Sequence, residues 1–291
     1  MGQDTGHAER RTVLVGVADG DHRAVLEYAR CEAERTGSGL TLVHAYTVPP
    51  SAMGWMYGLD IPEAYRAGGH DVLLEAVRRL TRDGLTTRID TVLTRGFAPA
   101  VLESASRRAW VVVIGTDGSK PWFLRLTEGS VARRLVERAE CPVVVVPAGW
   151  TSSRPVSPVV AMVDDVDTAY APLAYAFEAA TVRPADLQVI HVADPRDRRP
   201  DDDWVAVQHV VDAWFDRHPE VLGSCRRVEG EPYPAALAAA HGAGLLVIGR
   251  PRDRRLPSLL VQSLAQEIIA VSECPVAVTP LGYRGTGQSA A

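Results

Sequence analysis

The residues best placed to do chemistry form a glycine-rich stretch after an apolar run. "VVVIG" ends at Gly115, Gly118 follows after Thr116 and Asp117, and ten residues later Gly129-Ser130 opens an amphipathic segment. Glycines let backbone N–H groups come close to an anion. A helix N-terminus adds unsatisfied donors and a partial positive charge. Ser130 can cap that helix or donate to a phosphate. Lys120, the only lysine in the chain, lies inside the loop with Arg125 nearby, and either can balance phosphate charge or stand solvated. A glycine turn with an N-cap is the plain alternative to phosphate binding.

The elements that would position this loop occur twice. "VVVIG" followed by "ECPVVVVP" (Glu140–Pro147) returns as "LLVIG" (Leu245–Gly249) followed by "ECPVAVTP" (Glu273–Pro280). The spacing of 133–134 residues marks a tandem duplication of one domain. In each half short apolar runs alternate with amphipathic stretches. The first half reads as strands at Val13–Val17, Leu40–Ala45, Ile89–Leu93, Trp110–Ile114 and Val143–Val146. Its helices read as His22–Arg35, Asp71–Arg82, Pro99–Arg108 and Ser130–Ala139. The second half repeats the order. Runs apolar on both faces fit parallel strands covered on each side. The fold class predicted is α/β, with two tandem doubly wound domains, each a five-stranded parallel sheet with helices on both faces. Domain one spans 1–149, a Ser/Pro/Gly-rich linker 150–157, domain two 158–281, and a disordered tail 282–291. An apolar excursion, Val48–His70, with Met53, Trp55, Met56 and Tyr57, is a lid, a partner surface or a segment packed on its own domain.

Composition narrows the function. The net charge is −5, without the basic face of a nucleic-acid binder. No apolar run approaches the roughly 20 residues of a membrane span. Met1–Arg11 has no apolar signal-peptide core, which predicts a cytoplasmic protein. The four cysteines form no CxxC pair and read as small buried hydrophobes. There is no G-x-S-x-G elbow, no P-loop and no cluster of metal ligands. His44 and His191 are repeat-equivalent and read as structural more readily than catalytic. Asp164 and Asp165 read as a helix-flanking turn or a cation site.

Taken together, the glycine loop, "ECPVVVVP", "VLVGVADG", "LVHA" and "RGFAPAVLESA" resemble the universal stress protein family over almost the whole chain. Nucleotide-binding members carry G-x2-G-x9-G-[S/T] between the fourth strand and the last helix. The resemblance implies ATP, or AMP or ADP, bound with or without Mg2+, and a regulatory role in stress response. It implies a site of Ala18, Asp19, Ala45, Ile114, Gly115, Gly118, Lys120, Gly129, Ser130 and Val131. It also implies an intrachain pseudo-dimer through the final strands, and leaves open a further homodimer. The first half departs from the pattern. Its glycine spacing is x10, Asp117 puts negative charge in the loop, and its first turn reads as one or two residues short, so that Asp19 is displaced and Ala18 takes the expected aspartate position. The second half has the family's loop length, but Arg252 and Gln262 stand where two glycines are expected, and Pro251 removes a donor. Its basic loop, with Arg250, Arg254 and Arg255, reads as solvated. Two other functions stay open: a nucleotide-independent interaction module with vestigial pockets, and a slow ATPase.

Overall fold

The computed structural model describes residues 12–48, 61–116, 131–152, 157–193, 200–250 and 264–285. The first half runs β1 (Thr12–Gly16), α1 (Arg23–Thr36), β2 (Gly39–Tyr46), α2 (Ile61–Arg82), β3 (Ile89–Arg95), α3 (Ala98–Ser106), β4 (Val111–Gly115), α4 (Val131–Arg138) and β5 (Val143–Val146). The second half repeats it: β6 (Val159–Val163), α5 (Val166–Val182), β7 (Leu187–Ala193), α6 (Pro200–Arg217), β8 (Gly223–Glu229), α7 (Pro232–Ala240), β9 (Leu245–Gly249), α8 (Leu264–Val271) and β10 (Val276–Thr279).

The strands form one ten-stranded sheet in the order β3-β2-β1-β4-β5-β10-β9-β6-β7-β8. Within each half every pairing is parallel, because each crossover is helical. The halves meet through an antiparallel pair, β5 with β10, in which Val145 faces Val276 and Val143 faces Val278. This pairing satisfies both inner sheet edges and leaves β3 and β8 as the outer ones.

Two apolar clusters flank the sheet. One gathers α1, α2, α5 and α6 over residues such as Val13, Val15, Leu40, Leu42, Val111 and Val113, and runs across both halves into Val159, Val247 and Ala277. The other gathers α3, α4, α7 and α8 over Leu14, Val43, Val112, Ile114, Val143 and Val276. Both faces of each central strand are thus buried, which is why "VVVI" and "VVVV" carry no polar alternation.

Most predicted elements appear within a few residues of their sequence boundaries. Gly37 ends α1 with φ +66, its N–H bonded to Ala33 O, as a left-handed helix stop. Helix α2 is the exception, starting ten residues before the predicted Asp71. Ten residues of the apolar excursion are therefore helix, and residues 49–60, with Met53, Trp55, Met56 and Tyr57, lie outside the described residues. In the fold Gly69 lets α2 close on the sheet, since a Cβ there would lie 2.7 Å from Leu93 Cδ1 and 3.0 Å from His44 Cδ2.

The segments flanking the second half are also anchored. Trp150, the first linker residue, is buried and meets Tyr28 edge-on at 5.2 Å. Tyr283, assigned to the disordered tail, is half-buried, packs edge-on against Tyr175 at 6.0 Å, and donates to Glu178 Oε2 at 2.6 Å. An aromatic ring has enough apolar surface to bind a short tail to the core. Residues 286–291 lie outside the described residues.

Candidate functional site

In each half the chain leaves its first strand toward one side of the sheet and returns to the fourth on the other. The C-terminal ends of β1 and β4 therefore flank a switch point, the usual ligand crevice of such sheets. Strand alternation assigns the predicted residues to faces. Val43, Ile114 and Val131 belong to the cluster under α3 and α4, and Ala45, two residues beyond Val43, shares that face half-buried. Gly16 also faces this side, for a Cβ there would lie 3.0 Å from Ile114 Cγ2 and 3.1 Å from Leu102 Cδ1. Ala45, Ile114 and Val131, from three elements, thus border one small apolar platform.

Gly115 faces the opposite way. A Cβ there would lie 2.6 Å from Val25 Cγ2, so glycine lets α1 pack tightly on the end of β4. Thr116 continues toward the loop, its N–H bonded to Val146 O at 3.0 Å and its Oγ1 accepting from Ala148 N at 3.2 Å. Helix α4 starts at Val131 with its N-terminus on this side. It is held against α3 by Arg134–Glu103 at 2.9 Å, while Arg133 pairs along the helix with Glu137 at 3.1 Å. Gly118, Lys120, Gly129 and Ser130, with Asp117 and Arg125, lie outside the described residues, as do Pro251, Arg252, Arg254, Arg255 and Gln262.

The first turn differs from its sequence reading. The segment between β1 and α1 is six residues, longer than the two between β6 and α5. Helix α1 lacks the first turn that α5 has, so fewer residues overall produce more irregular chain. Ala18 and Asp19 are exposed, and Gly20 takes φ +93. The carboxylate that engages the start of α1 is Asp21. It accepts from Arg23 N at 3.0 Å and pairs with the Arg23 guanidinium at 2.7 Å, which together lower its pKa to about 2. In the second half Asp165 caps α5, accepting from Thr168 N at 2.8 Å.

The two equivalent histidines do the same job. His44 Nδ1 lies 2.8 Å from Val17 O, and His191 Nδ1 lies 3.1 Å from Val163 O. A carbonyl only accepts, so Nδ1 carries the proton in both, and each ring ties the second strand to the end of the first. Both rings are buried, and His191 stacks on Trp204. This geometry is structural.

The sharpest contrast between the halves lies on the platform itself. The register pairs Val13 with Leu40 in the first half and Val159 with Leu187 in the second. On that alignment Gly16 corresponds to Met162 and Ala45 to Val192. Met162 is 4% exposed and Val192 6%, and both join the apolar cluster on that face. Larger side chains fill the place where the first half has glycine and alanine. Comparing the repeats strand by strand would have revealed this; attention to the glycine loop alone missed it. Arg250 also departs from the solvated reading, because it is half-buried and its Nη2 donates to Ala139 O at 2.8 Å, across the junction of the halves.

The cysteines are all free thiols. Burial pushes Cys141 up to about 12 and Cys225 up to about 11, so both stay protonated near neutrality. Among the described residues no three His, Cys, Asp or Glu side chains group to hold a metal, and no helix is long and apolar enough to cross a membrane.

Comparison with known proteins gives these features a common origin. The universal stress protein family model matches residues 9–147 and again 156–280. A universal stress protein of Mycobacterium tuberculosis (strain ATCC 25618 / H37Rv) is 28% identical over 286 residues, covering 91% of this chain and 95% of its own. The crystal structure of a universal stress protein from Archaeoglobus fulgidus DSM 4304 superposes with a TM-score of 0.73 at 18% identity, covering 97% of this chain and 99% of its own. A shorter universal stress protein solved in complex with cAMP covers 47% of this chain and 96% of its own, at 25% identity and a TM-score of 0.37. With two tandem matches that together span nearly its whole length, the chain belongs to the universal stress protein family.

Proposed function

We propose that the chain binds an adenine nucleotide, ATP first among them, in its first half alone, and serves a regulatory role in stress response. The observation that carries this reading is the asymmetry of the platform: Gly16 and Ala45 in the first half against buried Met162 and Val192 in the second. The base lies against Ala45 and Ile114, and the ribose near Ala18 and Asp19. The phosphates lie across Gly115, Gly118, Gly129 and Ser130 toward Val131, at the N-terminus of α4, where free N–H groups and the helix dipole favour an anion. Lys120 supplies the balancing charge. A Mg2+ ion, where present, travels with the phosphates. The second half acts as a partner domain: its final strand pairs with β5, making the molecule a pseudo-dimer within one chain.

Isothermal titration tests the assignment. One ATP should bind per chain. Gly118→Arg should abolish binding, Ala45→Val should weaken it about tenfold or more by filling the platform, and Val192→Ala should leave the stoichiometry at one. Two sites per chain, or Ala45→Val binding like the wild type, would overturn it. Partner capture that ignores ATP and these variants would favour the nucleotide-independent interaction module.

A further inference from the structure

The seam between the halves is pseudo-symmetric in the aromatics that close each final strand, and asymmetric in its buried charges and in one ring contact, Trp110 with Tyr175 at 6.1 Å, whose equivalents are Gly244 and Tyr28. Tyr28 and Tyr175 are equivalent, and each meets edge-on the aromatic that follows its own final strand, Trp150 or Tyr283. Those aromatics close the same turn, Trp150 N to Pro147 O and Tyr283 N to Pro280 O, both at 3.0 Å. Between the tyrosines runs an ion pair with no mate. Arg183, at the end of α5, donates through Nη2 to Glu32 of α1 and to Tyr28 OH at 3.0 Å, while its Nη1 bonds Ala179 O at 3.1 Å. Glu32 is 0% exposed and the Arg183 side chain 8%. Arg35, 3.9 Å from the same carboxylate oxygen, is the other cation facing it.

On the repeat alignment Glu32 corresponds to Ala179, and Arg183 to Thr36. A symmetric mate of the ion pair would have to form between Ala179 and Thr36, which carry no charge. A second contact across the seam is equally unmatched. Trp110 Nε1 donates to Glu178 Oε2 at 3.4 Å, and the equivalents of these two residues are Gly244 and Cys31.

We propose that this seam is heterotypic: the first half recognises the second half and rejects another first half. If two first halves met through β5, each would bury a Glu32 carboxylate against Thr36 of the other. If two second halves met through β10, each would bury an Arg183 guanidinium against Ala179. A buried charge without its counter-ion is strongly unfavourable. The Glu32–Arg183 pair therefore selects the partner, and the apolar seam supplies the adhesion. The surface fits the second half of this chain, or that of another copy.

A protease site placed at residues 153–156 tests this in the folded protein. After cleavage and prolonged incubation, native mass spectrometry should find the wild-type halves as one-to-one mixed pairs, with like pairs below about a tenth of the total. Redistribution toward the statistical mixture of like and unlike pairs would overturn the proposal, and that readout needs no variant to fold. The symmetrised chain Glu32→Ala with Arg183→Thr gives both halves the same residues at these positions. Its like pairs should rise at least tenfold over the wild type; a chain that stays as exclusive as the wild type would show that the ion pair is not the selector.

Discussion

Replacing Arg183 with alanine leaves Glu32 fully buried and deprives its carboxylate of the hydrogen bond from Arg183. Breaking a buried pair by removing one partner costs about 3–5 kcal/mol, since the remaining charge is left without compensation. Arg35, 3.9 Å away and one-third exposed, gives partial relief, which places the loss at about 3 kcal/mol. One apolar cluster spans both halves, so the penalty should fall on the whole molecule in a single transition. At about 2.1 cal/mol/K per residue, a single transition of 291 residues has an unfolding entropy of roughly 0.6 kcal/mol/K, which predicts a fall in Tm of about 5 °C by calorimetry. The double variant Glu32→Ala with Arg183→Ala should be more stable than Arg183→Ala, because it removes the stranded carboxylate along with its partner. A fall below about 2 °C for Arg183→Ala, or a double variant whose loss equals the sum of the single ones, would refute the reasoning.

Two further predictions concern the glycine that ends each fourth strand and the thiols. Gly115→Ala drives a Cβ to within 2.6 Å of Val25 Cγ2 and should cost about 1–3 kcal/mol in urea unfolding, the usual range for overpacking. Gly249→Ala, whose nearest atom would be Pro172 Cγ at 3.7 Å, should stay within about 0.5 kcal/mol of the wild type; equal losses at the two sites would contradict the packing difference. Cys141 and Cys225, protonated up to about 12 and 11, should resist a thiolate-selective disulfide reagent at pH 8 and react on unfolding. Labelling of either at the rate of a free thiol in the native protein would contradict their burial.

The sequence by itself determined the repeat, the order of strands and helices, the burial of the central strands and the family. The reason is that these rest on local patterns: apolar runs of strand length, helical periodicity, and glycines at stops such as Gly37. The second-half departures Arg252 and Gln262 were equally plain, because they replace glycines at an unchanged spacing that can be read along the chain. Tertiary structure decided what depends on packing between distant segments. The close approach of α2 to His44 and Leu93 makes Gly69 the residue that fits within the helix. Tyr283 reads as tail, and Tyr175 with Glu178 binds it to the core. Arg250 reads as a solvated cation, and the end of α4 takes its guanidinium. Asp19 reads as an aspartate displaced from its expected position, whereas the loss of a helical turn hands the start of α1 to Asp21. Met162 and Val192 look like ordinary strand residues until the register sets them opposite Gly16 and Ala45. Glu32 and Arg183, 151 residues apart, carry no joint signal in sequence, because only the antiparallel meeting of β5 and β10 brings their helices together.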